Sequence, residues 1–448
     1  MSQRIFGWTS GIGLSGVLAA LLSGCATYSM MPTPVLYTGS QAKPLFTDFA
    51  AERRTPSIDL LYVTDRVPAT GSDTVGPYTA SRSRYLAFGS TTVEFGDAVT
   101  WDVLVAQSTV TDRKVPIDLN LGTTTELGRF PRIPYEMVRV SEGMSRTPGV
   151  VAAHEAAKMR LQAELERRLA MAPRKEIVLF VHGYANTFED AALSVGELCH
   201  FLGREFVCAL FTWPAATSKI AILGYDVDRE SGEFATEDLK KTIRMIADTP
   251  GVQRIHLLAH SRGTDLVASA VSDLSVESYI TQTTLARRFK IGNIVLIAPD
   301  LDIDVAPTII WKAVSDPDLP YGEAPNPGAV VPSPEFRITV YVSPNDKALA
   351  TAGWLLGSVA RLGRIDANTL HPEDIAQSRL FGSFDVIQVN DGSCFICHSY
   401  FLSDSRVSSD LISLLRYGSG PNGPGRPLIE VANPFWRVPT DADSKSLH

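Results

Sequence analysis

Ile255-His256-Leu257-Leu258-Ala259-His260-Ser261-Arg262-Gly263 is an apolar run that ends in small-x-Ser-x-Gly and continues into Thr264-Asp265-Leu266-Val267-Ala268. The pattern predicts a buried strand that turns sharply into a helix. Small residues let strand and helix pass closely, so the serine sits on a strained turn with its hydroxyl exposed. Five such residues recur by chance, and Ala259 stands where a glycine is common. Their weight comes from their position between strand and helix. A nucleophile so placed calls for an acid and a histidine at the ends of later strands.

Outward from this point, short apolar segments alternate with helical ones. Strands are predicted at 177–181, 206–212, 293–298, 337–342 and 384–389, and helices at 188–200 and 236–247. A further helix starts near Val151, where Leu161, Leu165 and Leu169 recur every four residues. Continuous apolar strands separated by helices imply an α/β fold, with a mostly parallel central sheet and helices on both faces. Upstream, 58–63, the region around Tyr85-Leu86-Ala87-Phe88 and 101–106 read as extended. They predict an antiparallel edge to the sheet or a small cap on it. Residues 108–148 are rich in Thr, Pro and Arg and carry no clear period.

At 448 residues, 45% hydrophobic and 20% charged, the chain has the make-up of an ordinary globular protein with a full core. A formal net charge of -8 without a long basic run argues against a nucleic-acid partner, and none is expected. Arg4 precedes an apolar stretch over 6–22, which ends in Leu22-Ser23-Gly24-Cys25. The stretch is at the short end of the roughly 17–25 residues that span a bilayer, and Gly, Ser and Thr dilute it. The motif resembles a bacterial lipobox. It implies a signal peptide over 1–24, a diacylglycerol on the Cys25 thiol, and a membrane partner reached through that lipid. By analogy with Gram-negative sorting, Ala26 in place of Asp points to the outer membrane of the cell envelope, facing the periplasm. The stretch 25–55 reads as a flexible tether and 56–440 as the folded domain, with N-terminal strands over 56–107 and a catalytic core over 151–417.

The remaining parts of a nucleophilic site can be sought in order. A tetrahedral intermediate needs two N–H donors, each worth about 3–4 kcal/mol of barrier. One is expected from Arg262, next to the nucleophile. The other is expected from Tyr184 in His182-Gly183-Tyr184-Ala185-Asn186, just after the strand at 177–181. Asp346 follows the strand at 337–342 and His398 follows the last one, which satisfies the chain order Ser, Asp, His. Asp300, in Ala298-Pro299-Asp300, is the rival acid. Asp300, Asp302 and Asp304 imitate the start of a calcium loop, but Val305 and Trp311 occupy positions that need Gly and Glu, so no metal is expected there. No cofactor is called for. His260 is expected to pack or orient the turn, and His154, His200, His256, His371 and His448 carry no motif.

With Ser261, Asp346 and His398 in place, the chain resembles the α/β-hydrolase superfamily. More narrowly, it resembles an uncharacterised bacterial α/β-hydrolase family known as a domain of unknown function. The strings that carry the resemblance are Tyr62-Val63-Thr64-Asp65-Arg66, Phe180-Val181-His182-Gly183-Tyr184, Trp213-Pro214, Ala259 to Gly263, Ala298-Pro299-Asp300, the segment 341–349, and His398-Ser399-Tyr400. They extend over about 56–437. The resemblance implies an α/β-hydrolase fold and a serine hydrolase that cleaves esters or related acyl bonds of a small-molecule substrate through an acyl-enzyme. A thioesterase, a peptidase and a non-catalytic envelope binding protein are the alternatives. Arg262 departs from relatives, which often carry an apolar residue there. It would favour an anionic substrate or pair with Asp265 or Asp228. The irregular stretch from Trp213 to Phe234 is expected to line the pocket or form a partial lid.

Besides Cys25 there are Cys199, Cys208, Cys394 and Cys397, an even number that suits disulfides in an exported protein, with three possible connectivities. Cys394-Phe395-Ile396-Cys397-His398 also spells a c-type haem string. The order of strand, loop and histidine favours a hydrolase instead, with a Cys394–Cys397 bridge stiffening the histidine loop.

Overall fold

The computed structural model describes residues 28–310, except 48, 72–75 and 217–220, and much of 336–443, except 356–359, 370, 380–381, 391–396, 424 and 441–442. The lipid site expected at Cys25, and the residues 1–24 before it, lie outside the described residues.

The strands are β1 (Tyr28–Ser29), β2 (Ser57–Pro68), β3 (Tyr78–Phe95), β4 (Asp118–Arg129), β5 (Met137–Val140), β6 (Gly143–Arg146) and β7 (Glu176–Val181). They continue with β8 (Val207–Thr212), β9 (Arg254–His260), β10 (Ile291–Ile297), β11 (Arg337–Val342), β12 (Phe384–Gln388), β13 (Ile429–Ala432) and β14 (Phe435–Arg437). Among the described residues, twelve of these form one sheet in the order β1-β4-β3-β2-β8-β7-β9-β10-β11-β12-β14-β13. From β2 through β8, β7, β9, β10, β11 and β12 to β14 every pair is parallel. Antiparallel pairs occupy the two margins. Both sides of the sheet are covered, which is why the central strands read as near-continuous apolar runs and not as alternating ones. Val178, Phe180, Leu210 and Leu258 belong to one core, and Ile177, Leu179, Ala209 and Leu257 to the other.

The predicted helix carrying Leu161, Leu165 and Leu169 runs over Pro148–Met171, capped by Thr147, with all three leucines buried. Trp101–Gln107, by contrast, is a helix and not a strand. The Thr100 side chain accepts the Val103 N–H, satisfying one of the free donors of the first turn. Buried Leu104 and the Trp101 ring, which packs on Phe46 and Phe49, fasten this short helix to the domain. The stretch expected to be irregular before Phe234 is instead helical from the start of Ala221–Ala247.

Residues 28–54 differ most from expectation, because they dock on the domain and do not hang from it as a tether. Tyr28 and Ser29 pair with Leu119 and Asp118 at the sheet edge. Met30, Met31, Tyr37, Leu45 and Phe49 are buried. Arg416 clamps the segment, donating to the Pro44 and Leu45 carbonyls and the Tyr37 hydroxyl while pairing with Glu205. Apolar burial of this kind stabilises by about 1.5–3 kcal/mol per large side chain. Its irregular spacing gives no period by which a sequence reading could find it. Cys199 and Cys208 form a disulfide that ties the end of the helix Phe188–Phe201 to the start of β8.

Candidate active site

Ser261 follows β9 directly and adopts φ +52°, the left-handed region that costs a non-glycine residue free energy. The turn is held from both sides. Ser261 N–H donates to Ile297 O on β10 at 2.9 Å, and Ser261 O accepts the Thr264 and Asp300 N–H groups. The helix Gly263–Ile280 then leaves the turn immediately, with Arg262 as its N-cap. In its first turn the Thr264 and Asp265 N–H groups, which have no carbonyl four residues back, bond instead to the Ser261 and Arg262 carbonyls three residues back.

Two glycines make the crossing possible. A Cβ on Gly263 would lie 2.4 Å from His182 O and 2.6 Å from Val181 O, both backbone atoms. A Cβ on Gly183 would lie 2.6 Å from Ser261 Cβ. The loop after β7 therefore lies directly against the Ser261 turn, where the sequence places it. Within this loop the N–H groups flanking Tyr184 are engaged. Gly183 N–H donates to Asn186 Oδ1 at 3.2 Å and Ala185 N–H to Asp228 Oδ2 at 3.4 Å.

A buried knot fixes the loop from behind. His182 is fully buried, and burial with the nearby Arg66 cation pushes its pKa well down, so it is neutral. Its Nε2 accepts the Trp213 N–H at 3.1 Å and its Nδ1–H donates to Gly183 O at 2.9 Å, which assigns the tautomer from the network. Trp213 stacks on the ring with centroids 5.3 Å apart and returns its indole N–H to His182 O. Arg66 donates to Thr212 Oγ1, Ala215 O and Asn186 O, so one guanidinium joins the ends of β2 and β8 and the loop after β7. Burial lowers its pKa to about 10, which leaves it charged at neutral pH. The sequence does not mark Arg66 as a site residue, although it closes the string Tyr62 to Arg66. Its partners come from segments far away in the chain.

Asp346 sits in the turn after β11 and is fully buried. Its Oδ1 accepts the Leu349 N–H, capping the helix Lys347–Leu355, and its Oδ2 accepts from His398 Nδ1 at 2.8 Å. The His398 segment is pinned on two sides. The Tyr400 hydroxyl donates to Tyr341 O and accepts the Ala298 N–H, and His260 Nε2 meets His398 O at 3.2 Å. The rings of His260 and His398 lie 4.8 Å apart, and burial together with His398 pushes the His260 pKa down to about 3. His260 is thus a neutral brace for the loop that carries His398. Among the described residues, no hydrogen bond joins Ser261 Oγ to His398. Cys397 is disulfide-bonded, and Cys394 lies outside the described residues.

Asp300 does not meet the histidine. Its Oδ2 accepts the Tyr225 hydroxyl at 2.6 Å and its Oδ1 lies 3.5 Å from Arg361 Nε. Arg262 turns its guanidinium onto Asp265, at 2.5 Å, and onto Asp300 O. Of the two pairings open to it, Asp265 is the one formed. Asp228 instead accepts the Ala185 and Ala216 N–H groups.

The family model described as alpha/beta hydrolase of unknown function (DUF900) matches residues 157–415, more than half of the chain. The chain belongs to this family. No curated protein matches it. Two solved structures are similar to this alpha/beta hydrolase over part of its length. A predicted CIB-like hydrolase from Thermoplasma acidophilum is 16% identical, covers 55% of this chain and 87% of its own, and has a TM-score of 0.27. A hyperthermophilic esterase from Pyrobaculum calidifontis is 12% identical over 59% and 91% of the two chains, with a TM-score of 0.28. At such scores neither likeness carries an argument about this protein. Among the described residues, no helix is long and apolar enough to cross a membrane.

Proposed function

We propose that this hydrolase is a serine esterase that works through an acyl-enzyme, with Ser261 as nucleophile, His398 as base and Asp346 as its acid partner. The hydrogen bond from His398 Nδ1 to Asp346 Oδ2, 2.8 Å long and beside a strained serine turn, is the observation that carries the reading. Ser261 Oγ attacks the acyl carbon while His398 Nε2 takes its proton. Asp346 holds the Nδ1–H tautomer and stabilises the imidazolium. The Tyr184 and Arg262 N–H groups receive the oxyanion. His398 then passes the proton to the leaving alcohol, and a water activated by the same imidazole releases the acid. Ser261 and His398 need close contact only once substrate is bound, since catalytic hydrogen bonds tighten in that complex. The proposal includes lipid attachment at Cys25 and a place in the cell envelope.

Labelling by a fluorophosphonate probe, with Ser261→Ala as control, tests the nucleophile, and a chain-length series of nitrophenyl esters tests the acyl preference. Folded protein that resists the probe and cleaves no ester, thioester or amide would be a binding protein on a hydrolase fold. Labelling with a palmitate analogue, lost in Cys25→Ser, tests the anchor.

A further inference from the structure

A cavity of about 470 Å³ lies beside the site, within the size range of small-molecule pockets. Asn186, His260 and Ser399 bound it on one side. They are chain neighbours of Tyr184, Ser261 and His398. The N-terminal segment Tyr28 to Pro32 lines it elsewhere, and Glu197 lines it from the helix Phe188–Phe201. Three aromatic rings take part: Tyr28, Phe180 and Phe401. Phe180 and Phe401 have centroids 6.1 Å apart, and Phe401 also packs on His260 at 5.0 Å.

Glu197 is almost wholly buried, and its Oε2 accepts one backbone donor, Met31 N–H, at 2.6 Å. A carboxylate has about four lone-pair sites, so much of its acceptor capacity is unused. The nearest cation, Arg113, is committed to Met30 O and Thr33 Oγ1. No feature of the triad calls for an acid at this position. A desolvated carboxyl that shares a cavity with aromatic rings is suited to an alkylammonium group, because an arriving cation favours the ionised carboxylate, which becomes its counter-charge, while the ring faces add the quadrupole attraction.

We propose that this cavity is a binding subsite for an alkylammonium group carried by the substrate, with Glu197 as its specificity-determining residue. Calling the ligand a substrate rests on the esterase reading above. The binding itself does not.

The test is calorimetric titration of the full chain with choline and with its uncharged isostere, in which carbon replaces nitrogen. Choline is expected to bind roughly tenfold or more tightly than the isostere. Glu197→Gln keeps an acceptor for Met31 N–H and is expected to erase that difference. Phe401→Leu, which removes a ring and no charge, is expected to weaken choline severalfold and serves where Glu197→Gln does not fold. Absence of choline binding to folded wild-type protein, equal affinity for the two probes, or an undiminished preference in both variants would overturn the subsite. Failure of Ser261 labelling would overturn the esterase reading and leave the titration result standing.

Discussion

Gly263→Ala isolates the contact on which the Ser261 turn, the proposed nucleophile turn, depends. The added methyl would lie 2.4 Å from His182 O and 2.6 Å from Val181 O, and neither is the end of a flexible side chain that could swing away. Restoring ordinary contact requires the turn and the loop after β7 to separate by about 1 Å, since carbon and its neighbours sit near 3.5 Å. Overpacking of this sort costs about 1–3 kcal/mol, against which alanine returns up to about 1 kcal/mol of helix propensity. The net loss of stability is therefore small, a few degrees of Tm at most. Activity should suffer far more, because a displacement near 1 Å between reacting groups costs about a hundredfold. Gly149→Ala is the control, since nothing lies within 4 Å of its added methyl. It should leave turnover unchanged and Tm unchanged or slightly raised. The assay is kcat on a nitrophenyl ester beside differential scanning calorimetry of the same samples. Gly263→Ala with wild-type kcat would refute the claim that this approach sets the nucleophile's position.

Asp346→Asn should lower kcat by about 10⁴ through the wrong histidine tautomer, whereas Asp300→Asn should stay within about tenfold of wild type, as steady-state kinetics would show. Arg66→Lys cannot reproduce a fork that reaches Thr212, Ala215 and Asn186, and should cost about 2–4 kcal/mol in a thermal or chemical melt. Burial raises the Glu197 pKa to about 8, with Met31 N–H and Arg113 opposing, and Tyr28, Asp190 and His260 share its cavity. A raised acid contributes stability that is present below its unfolded pKa of about 4.3 and is lost as pH climbs through 8, by up to about 1.4 kcal/mol per unit. Melting curves between pH 5 and 8 should therefore fall less steeply for Glu197→Gln than for wild type.

The features legible in the sequence were those written locally. The turn at Ser261, the apolar parallel strands and the leucines of Pro148–Met171 each follow from a few neighbouring residues. The chain order also places Asp346 beside His398, because strand ends converge at one edge of such a sheet. What escaped reading depends on distant partners. Nothing near Arg66 predicts that it will bond Asn186 and Ala215, and nothing near Tyr37 predicts Arg416. Trp101–Gln107 misleads because its alternating valines suggest a strand, while the Thr100 cap and its tertiary contacts make it a helix. Glu197 reads as an ordinary helical acid until the segment from Tyr28 to Pro32 folds over it.

The pairing of Tyr28 with Leu119 has a mechanical consequence. Three peptide units separate Cys25 from Tyr28, a span of at most about 11 Å. A lipid at Cys25 would then work as a rivet and not as a leash. It would fix one face of the protein against the bilayer and confine its reach to molecules in or at that leaflet.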